Sequence, residues 1–332
     1  MTTNESDVTV RLDDRVRLMS AVLSATGFPE LSQQRKPHGT HAHARATRKQ
    51  LAALRTHEAV TGMQNLLDQG APLEAMFTLA LLMRWPELTV EKRPRWVPPN
   101  WDEKLRDFYA RADLATWWKE DDHAWQKGLA DATRMFENVR LKPFFQPYIG
   151  EVTEKLLFIP NISYPTDQEL GLRLGDTLVA IVPPRLAWGD SPPWPFDEDP
   201  AHVYRAAITQ YGRMLMLTFL RAHGDKIAEA ALNPLPVGDQ FQVMYPTWEE
   251  QFASVFVAAA VAIYLEDHVS KAEANAYVLM ERKVRGMTVL PGAVSVLRRY
   301  LTEFEAGRYK DFVEFLPLFP KQLRIAARIV TM

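Results

Sequence analysis

The segment Val203–His223, VYRAAITQYGRMLMLTFLRAH, is apolar nearly all round from Met214 onward when wound as a helix. A helix of that kind has no face to offer water and must be enclosed by other elements. The chain around it therefore has to supply layers on more than one side. Tyr211, Arg213 and Arg221 are its polar exceptions, and His223, Gly224 and Asp225 stand where the helix should end. A histidine there suits the negative end of the helix dipole, and glycine suits a left-handed cap.

The rest of the chain indicates what those layers are. Val8–Leu12 alternates as a short strand, and a helix with an aspartate cap is expected from Asp14 to about Thr26. Residues 29–45 are polar and weakly periodic and read as a loop or arm. From Ala44 to Arg140 apolar residues recur at three- and four-residue spacing, the helical period. Near residue 150 the character changes. Glu154–Pro160 and Asp176–Val182 are rich in Leu, Ile and Val and read as strands. Residues 183–200 hold six prolines, too many for a helix or a central strand. Helices then resume. Thr247 and Glu250 form a capping box before FASVFVAAAVAIYL, and Ser270 and Glu273 form another before a helix that Gly286 should end. The order predicts an α+β fold, mainly helical with a small sheet. Residues 1–150 form a mainly helical region, and 151–332 hold the sheet and the remaining helices.

Composition narrows the function classes. The 332 residues are 47% hydrophobic and 24% charged, with a net charge of -2 and no basic stripe, which argues against nucleic acid as a partner. Cysteine is absent, so disulfides, thiolate metal sites and a cysteine nucleophile are excluded. The N-terminus lacks a signal-peptide pattern. No charge-free apolar run reaches 18 residues, and Met214–Leu220 is far too short to span a bilayer. The expectation is a cytoplasmic chain without a membrane partner.

Four polar patterns bear on chemistry. His38, His41 and His43 could chelate a metal, but their polar surroundings lack a carboxylate and read as solvated loop. His57-Glu58 begins an HExxH motif that fails because Thr61 stands where the second histidine belongs, so a helix boundary is expected. Glu249 and Glu250 fit the first turn of a helix, with a metal ligand as the alternative. The Trp/Pro-rich loop with Trp188, Trp194 and Phe196 is either a lid or binding edge, or a segment pinned to the core.

Three segments together resemble a bacterial family of unknown function whose members look like gluzincin-type zinc metallopeptidases. They are VTVRLDDRVRLMSAVLSATGFPE, RTHEAVTGMQNLLDQGAPLEAMFTLALLM and AYVLMERKVRGMTVLPGAVSVLRRYLTEFEAGRYKDFVEFLP, which with their surroundings span most of the chain. The resemblance implies a zincin-like C-terminal part whose long helix after the strands would carry HExxH. It places Leu217 and Arg221 at the histidine positions, Thr218 at the glutamate, and Glu250 at the third-ligand position. Leucine and arginine offer no lone pair, and one carboxylate cannot hold zinc. The expected function is thus a catalytically degenerate, peptidase-like protein that binds a peptide or protein, without a cofactor. An Arg221–Glu250 ion pair would replace the metal. The competing expectation is an active hydrolase recruiting His223, Asp225, Glu249 or Glu250, with zinc as cofactor. A purely structural role is the third.

Overall fold

Helix dominates, as the three- and four-residue spacings require, and the strands gather into one mixed sheet of an α+β protein. The computed structural model describes residues 6–35, 42–91, 94–165, 168–185 and 193–330. Two compact units share the chain: the first takes residues up to Asn138 and Leu156–Asp199, the second Val139–Lys155 and Pro200 onward. Each is discontinuous, a feature that a single boundary near residue 150 does not express.

In the first unit, β1 (Val8–Val10), β2 (Lys155–Pro160), β3 (Leu170–Leu174) and β4 (Thr177–Val182) lie in the order β1-β2-β4-β3. β1 runs parallel to β2 with Val8 opposite Leu156, and β3 and β4 form an antiparallel hairpin. Gly175 turns that hairpin at φ +59, where a side chain would be strained. Asn161 N–H donates to Val182 O at 2.9 Å, so the carboxyl ends of β2 and β4 lie side by side. β2 and β4 are buried along almost their whole length, which explains their continuous apolar sequences. β3 was not foreseen: its Leu-Gly-Leu-Arg-Leu pattern is broken by glycine and arginine.

Among the described residues, eight helices of this unit follow β1. They are α1 (Asp14–Ala25), α2 (Phe28–Arg35), α3 (Ala42–Gln50), α4 (Glu58–Asp68), α5 (Leu73–Leu82), α6 (Trp101–Arg111), α7 (Leu114–Glu120) and α8 (Asp122–Phe136). The Asp13 carboxylate caps α1 by accepting from Arg15 N at 3.1 Å. The expected polar arm over 29–45 is corrected, because α2 and α3 occupy most of it. Ala44 and Thr47 are buried, and an Arg48–Glu30 ion pair joins the two helices. Tertiary burial stabilises helices that propensity alone does not.

The second unit holds α9 (Leu141–Ile149), α10 (Pro200–Ala222), α11 (Gly224–Ala231), α12 (Asp239–Met244), α13 (Trp248–His268), α14 (Lys271–Val284), α15 (Leu290–Glu305), α16 (Phe312–Phe315) and α17 (Phe319–Val330). Its axis is α13, with every residue from Val255 to Leu265 buried. α13 is long and apolar enough to cross a membrane by length and composition, and 72% of its most apolar stretch is buried inside the protein. α10 packs antiparallel to it, with Tyr204 and Tyr264 rings 5.4 Å apart. A Cβ on Gly212 would stand 3.1 Å from Phe145 and 3.3 Å from Val257, so glycine permits this close crossing. Tyr148, Phe252, Phe256, Tyr300 and Phe312 make a network of ring contacts around α13. Tyr300 donates its hydroxyl to Pro147 O at 2.7 Å, fixing α9 to α15. The capping box at Thr247 forms as predicted, only the serine half of the one expected at Ser270 and Glu273 does, and Gly286 follows α14 at φ +65.

Candidate functional site

The positions at which the resemblance would put a metal fall on one side of α10. Leu217 is half-buried, while Thr218 and Arg221 are exposed. The three- and four-residue spacing aligns them, while Tyr211, Leu215, Met216 and Leu220 turn into the core. Thr218 donates its hydroxyl to Met214 O at 2.8 Å, a bond within its own helix. The expected Arg221–Glu250 ion pair is not formed. Glu250 Oε2 instead accepts from Thr247 N at 3.1 Å and Thr247 Oγ1 at 3.0 Å, which commits that carboxylate to the helix end. His223 does sit at the end of α10, its Nδ1 2.9 Å from Phe219 O and its ring against Phe219. Gly224 is no left-handed cap, however: it opens α11, with exposed Asp225 in the first turn. Glu249 is half-buried in the first turn of α13. Among the described residues, no three histidines or carboxylates gather as a metal-binding group.

The proline-rich segment is described in part. Trp188 lies outside the described residues, Trp194 is exposed, and Phe196 is buried edge-on to Phe158 at 6.4 Å. Phe196 is thus an anchor rather than a lid. Next to it Asp197 accepts from Arg134 Nη2 at 2.6 Å, and Arg134 also reaches buried Asp131 at 2.5 Å. The Arg134 hydrogen bond holds the Asp197 carboxyl below the usual range. These contacts fasten the segment to α8.

The polar groups that merit a chemical account lie deep in the first unit. Just past the end of β2, Asn161 donates to Ser20 Oγ on α1 at 2.8 Å and accepts from Ser163 at 3.4 Å. One turn earlier on α1 is Arg17, only 6% exposed. Its Nη1 donates to Asp14 at 3.2 Å, and its Cζ lies over the rings of Trp118 and Trp125 at 4.4 and 4.3 Å. Nε and Nη2 of Arg17 are buried without an acceptor. Burial pulls the guanidinium pKa down and Asp14 pushes it up, leaving an arginine that is still cationic. Trp125 Nε1 donates to Asp121 at 3.2 Å, and the His43 ring stands edge-on to Trp125. His43 Nε2 lies 3.0 Å from Asp121 Oδ2, but off the hydrogen-bonding direction. His43 is thus part of a packed cluster, not a solvated loop, while His38 and His41 lie outside the described residues. Sequence reasoning passed over Arg17. Its signal was a lone charge in a helix otherwise free of charge from Val16 to Ala25, all of it buried.

The failed HExxH at His57 is a helix boundary, as expected. His57 Nδ1 accepts from Ala59 N at 3.1 Å as the N-cap of α4, and Nε2 lies 3.0 Å from Asp107. Accepting at Nδ1 puts the proton on Nε2, which donates to Asp107. Both nitrogens are spent, so the His57 ring has no free lone pair to act as a general base. The His57 hydrogen bond, joined by Arg111, lowers the Asp107 pKa. The pair borders an open hollow of about 510 Å³ edged by Glu58, Lys104 and Arg111. Comparison with protein families, curated proteins and solved structures finds no significant match to this chain.

Proposed function

We propose that the chain is a catalytically degenerate, peptidase-like protein that binds a peptide or protein instead of hydrolysing it. The observation that carries the reading is how the candidate catalytic groups of α10 and α13 are occupied. Glu250 closes a capping box, and His223 is tied to the carbonyl of Phe219. Leu217 and Arg221 bring no lone pair to the positions where the resemblance would have metal ligands. A site rewritten this way retains a fold that can hold a ligand and loses the water-activating metal on which zincin chemistry depends.

Zinc titration by calorimetry on the metal-stripped full chain, with hydrolysis of a mixed peptide substrate followed in parallel, tests the reading. The expected result is neither stoichiometric zinc uptake nor zinc-dependent cleavage. Zinc bound one-to-one at sub-micromolar affinity, with cleavage that follows it, overturns the proposal and favours a hydrolase built on His223, Asp225 and Glu250.

A further inference from the structure

Buried donors without acceptors are costly, and folded proteins rarely leave several in one place. In the first unit, among the described residues, two occur on one side chain that lies over two tryptophans: Nε and Nη2 of Arg17. The two on Arg17 are the parallel N–H groups along one edge of the guanidinium. Asp14 takes the remaining nitrogen, Nη1. That free edge matches the spacing of two carboxylate oxygens, the side-on fork by which arginine grips a carboxylate. The indoles of Trp118 and Trp125 cover the guanidinium and shield it from water, which strengthens a charged hydrogen bond formed there. The location is apt. α1 follows β1, and one turn beyond Arg17 it meets Asn161, just past the carboxyl end of β2. Outside the carboxyl ends of parallel strands is where open sheets bind ligands.

We infer that the cluster of Arg17, Trp118 and Trp125 is a binding site for a small carboxylate, gripped by the Nε–Nη2 edge of Arg17. The site goes beyond the peptide-binding reading and does not depend on it. Two features limit its affinity. Asp14, Asp121 and Asp122 all act electrostatically on Arg17 and oppose an incoming anion. The nitrogens are also closed to solvent, so a ligand enters only when the cluster opens, and the apparent affinity falls by the fraction of time it is open. Dissociation constants on the order of 1–10 mM are expected.

The test is nuclear magnetic resonance of the uniformly ¹⁵N-labelled full chain, titrated with acetate and then glutarate at constant ionic strength set by sodium chloride. The expected result is a saturable shift of the Arg17 Nε–H and of the Trp118 and Trp125 indole N–H signals. Arg17→Lys keeps the charge but not the fork and should weaken binding about tenfold. Arg17→Met should abolish it. The unsubstituted chain decides the matter even if a variant fails to fold. No saturable shift with either carboxylate overturns the proposal, as does undiminished binding by Arg17→Lys. Tighter binding of inorganic phosphate than of acetate overturns the assignment to carboxylates.

Discussion

The two units solve the problem of an interior in opposite ways. The second unit is closed by rings and small aliphatic side chains, and Glu281 is the one buried charged or polar residue described there. The first unit buries Asp13, Arg17, Ser20, Ser24, Thr26, Thr47, Asp131, Asn161 and Ser163. A polar interior contributes less net stability per residue than an apolar one, because each group exchanges water for a partner. It does fix directions, and chemistry needs directed groups. The difference teaches that the second unit is specified by packing, while the first carries the polar constellations with which a ligand could be read.

The contrast can be broken or sharpened by substitution. The largest effect is expected at the ring network. Phe256→Ala in the second unit should cost about 3–5 kcal/mol, the usual range for emptying a packed aromatic site, as a lower denaturation midpoint in guanidinium. A cost under 1 kcal/mol there would deny that packing governs that unit. In the first unit, Asn161→Ala strips Ser20 and Ser163 of a buried partner. A loss of about 1–3 kcal/mol is expected by the same measurement. Thr247→Ala removes one half of a capping box at an exposed helix end and should cost about 1 kcal/mol.

Arg17→Met sharpens the comparison most. It forfeits two ring contacts and the Asp14 bond, yet removes a buried cation with two unmatched donors. The two effects oppose each other, and a net change within about 1 kcal/mol is expected. A loss as large as that of Phe256→Ala would make Arg17 a structural pin. The smallest effect concerns pH. The Asp107 pKa is lowered in the folded state, chiefly by His57. Its contribution to stability is therefore present above the ordinary carboxylate range and lost as pH falls through the lowered value. A carbon-detected titration should find Asp107 below that range, and His57→Ala should move it back up.

How much of this could be read in advance depends on whether a signal was local. Thr247 with Glu250, the serine cap at Ser270, and the runs KLLFIP and TLVAIV carry their structure within a few residues, and they fold as their sequences state. α2 and the start of α3 were missed because their helicity rests on burial of Ala44 and Thr47 and on the pairing of Glu30 with Arg48. None of these shows in local periodicity. The expected Arg221–Glu250 bridge failed for a related reason. A reading by resemblance assigns Glu250 a distant partner, while Thr247, three residues away, already holds it. Arg17 was legible only as an oddity, the one charge in the apolar stretch from Val16 to Ala25. Its tryptophans come from two helices a hundred residues downstream in the chain.

The pairing of β1 with β2 has a consequence for how the chain is made. When Val8 is made, its strand partner Leu156 lies far downstream and is not yet synthesised. At about 5–20 residues per second, that wait is on the order of ten seconds. During it β1 has no neighbour on the side where β2 will lie, and α1 to α8 have all emerged. The first unit therefore cannot complete its sheet as its helices are made, and waits for the residues from Leu156 on. Its sheet closes only after the α9 segment of the other unit has been made. Biogenesis of this protein is interleaved, and a nascent-chain pause placed before residue 156 should leave the sheet unformed.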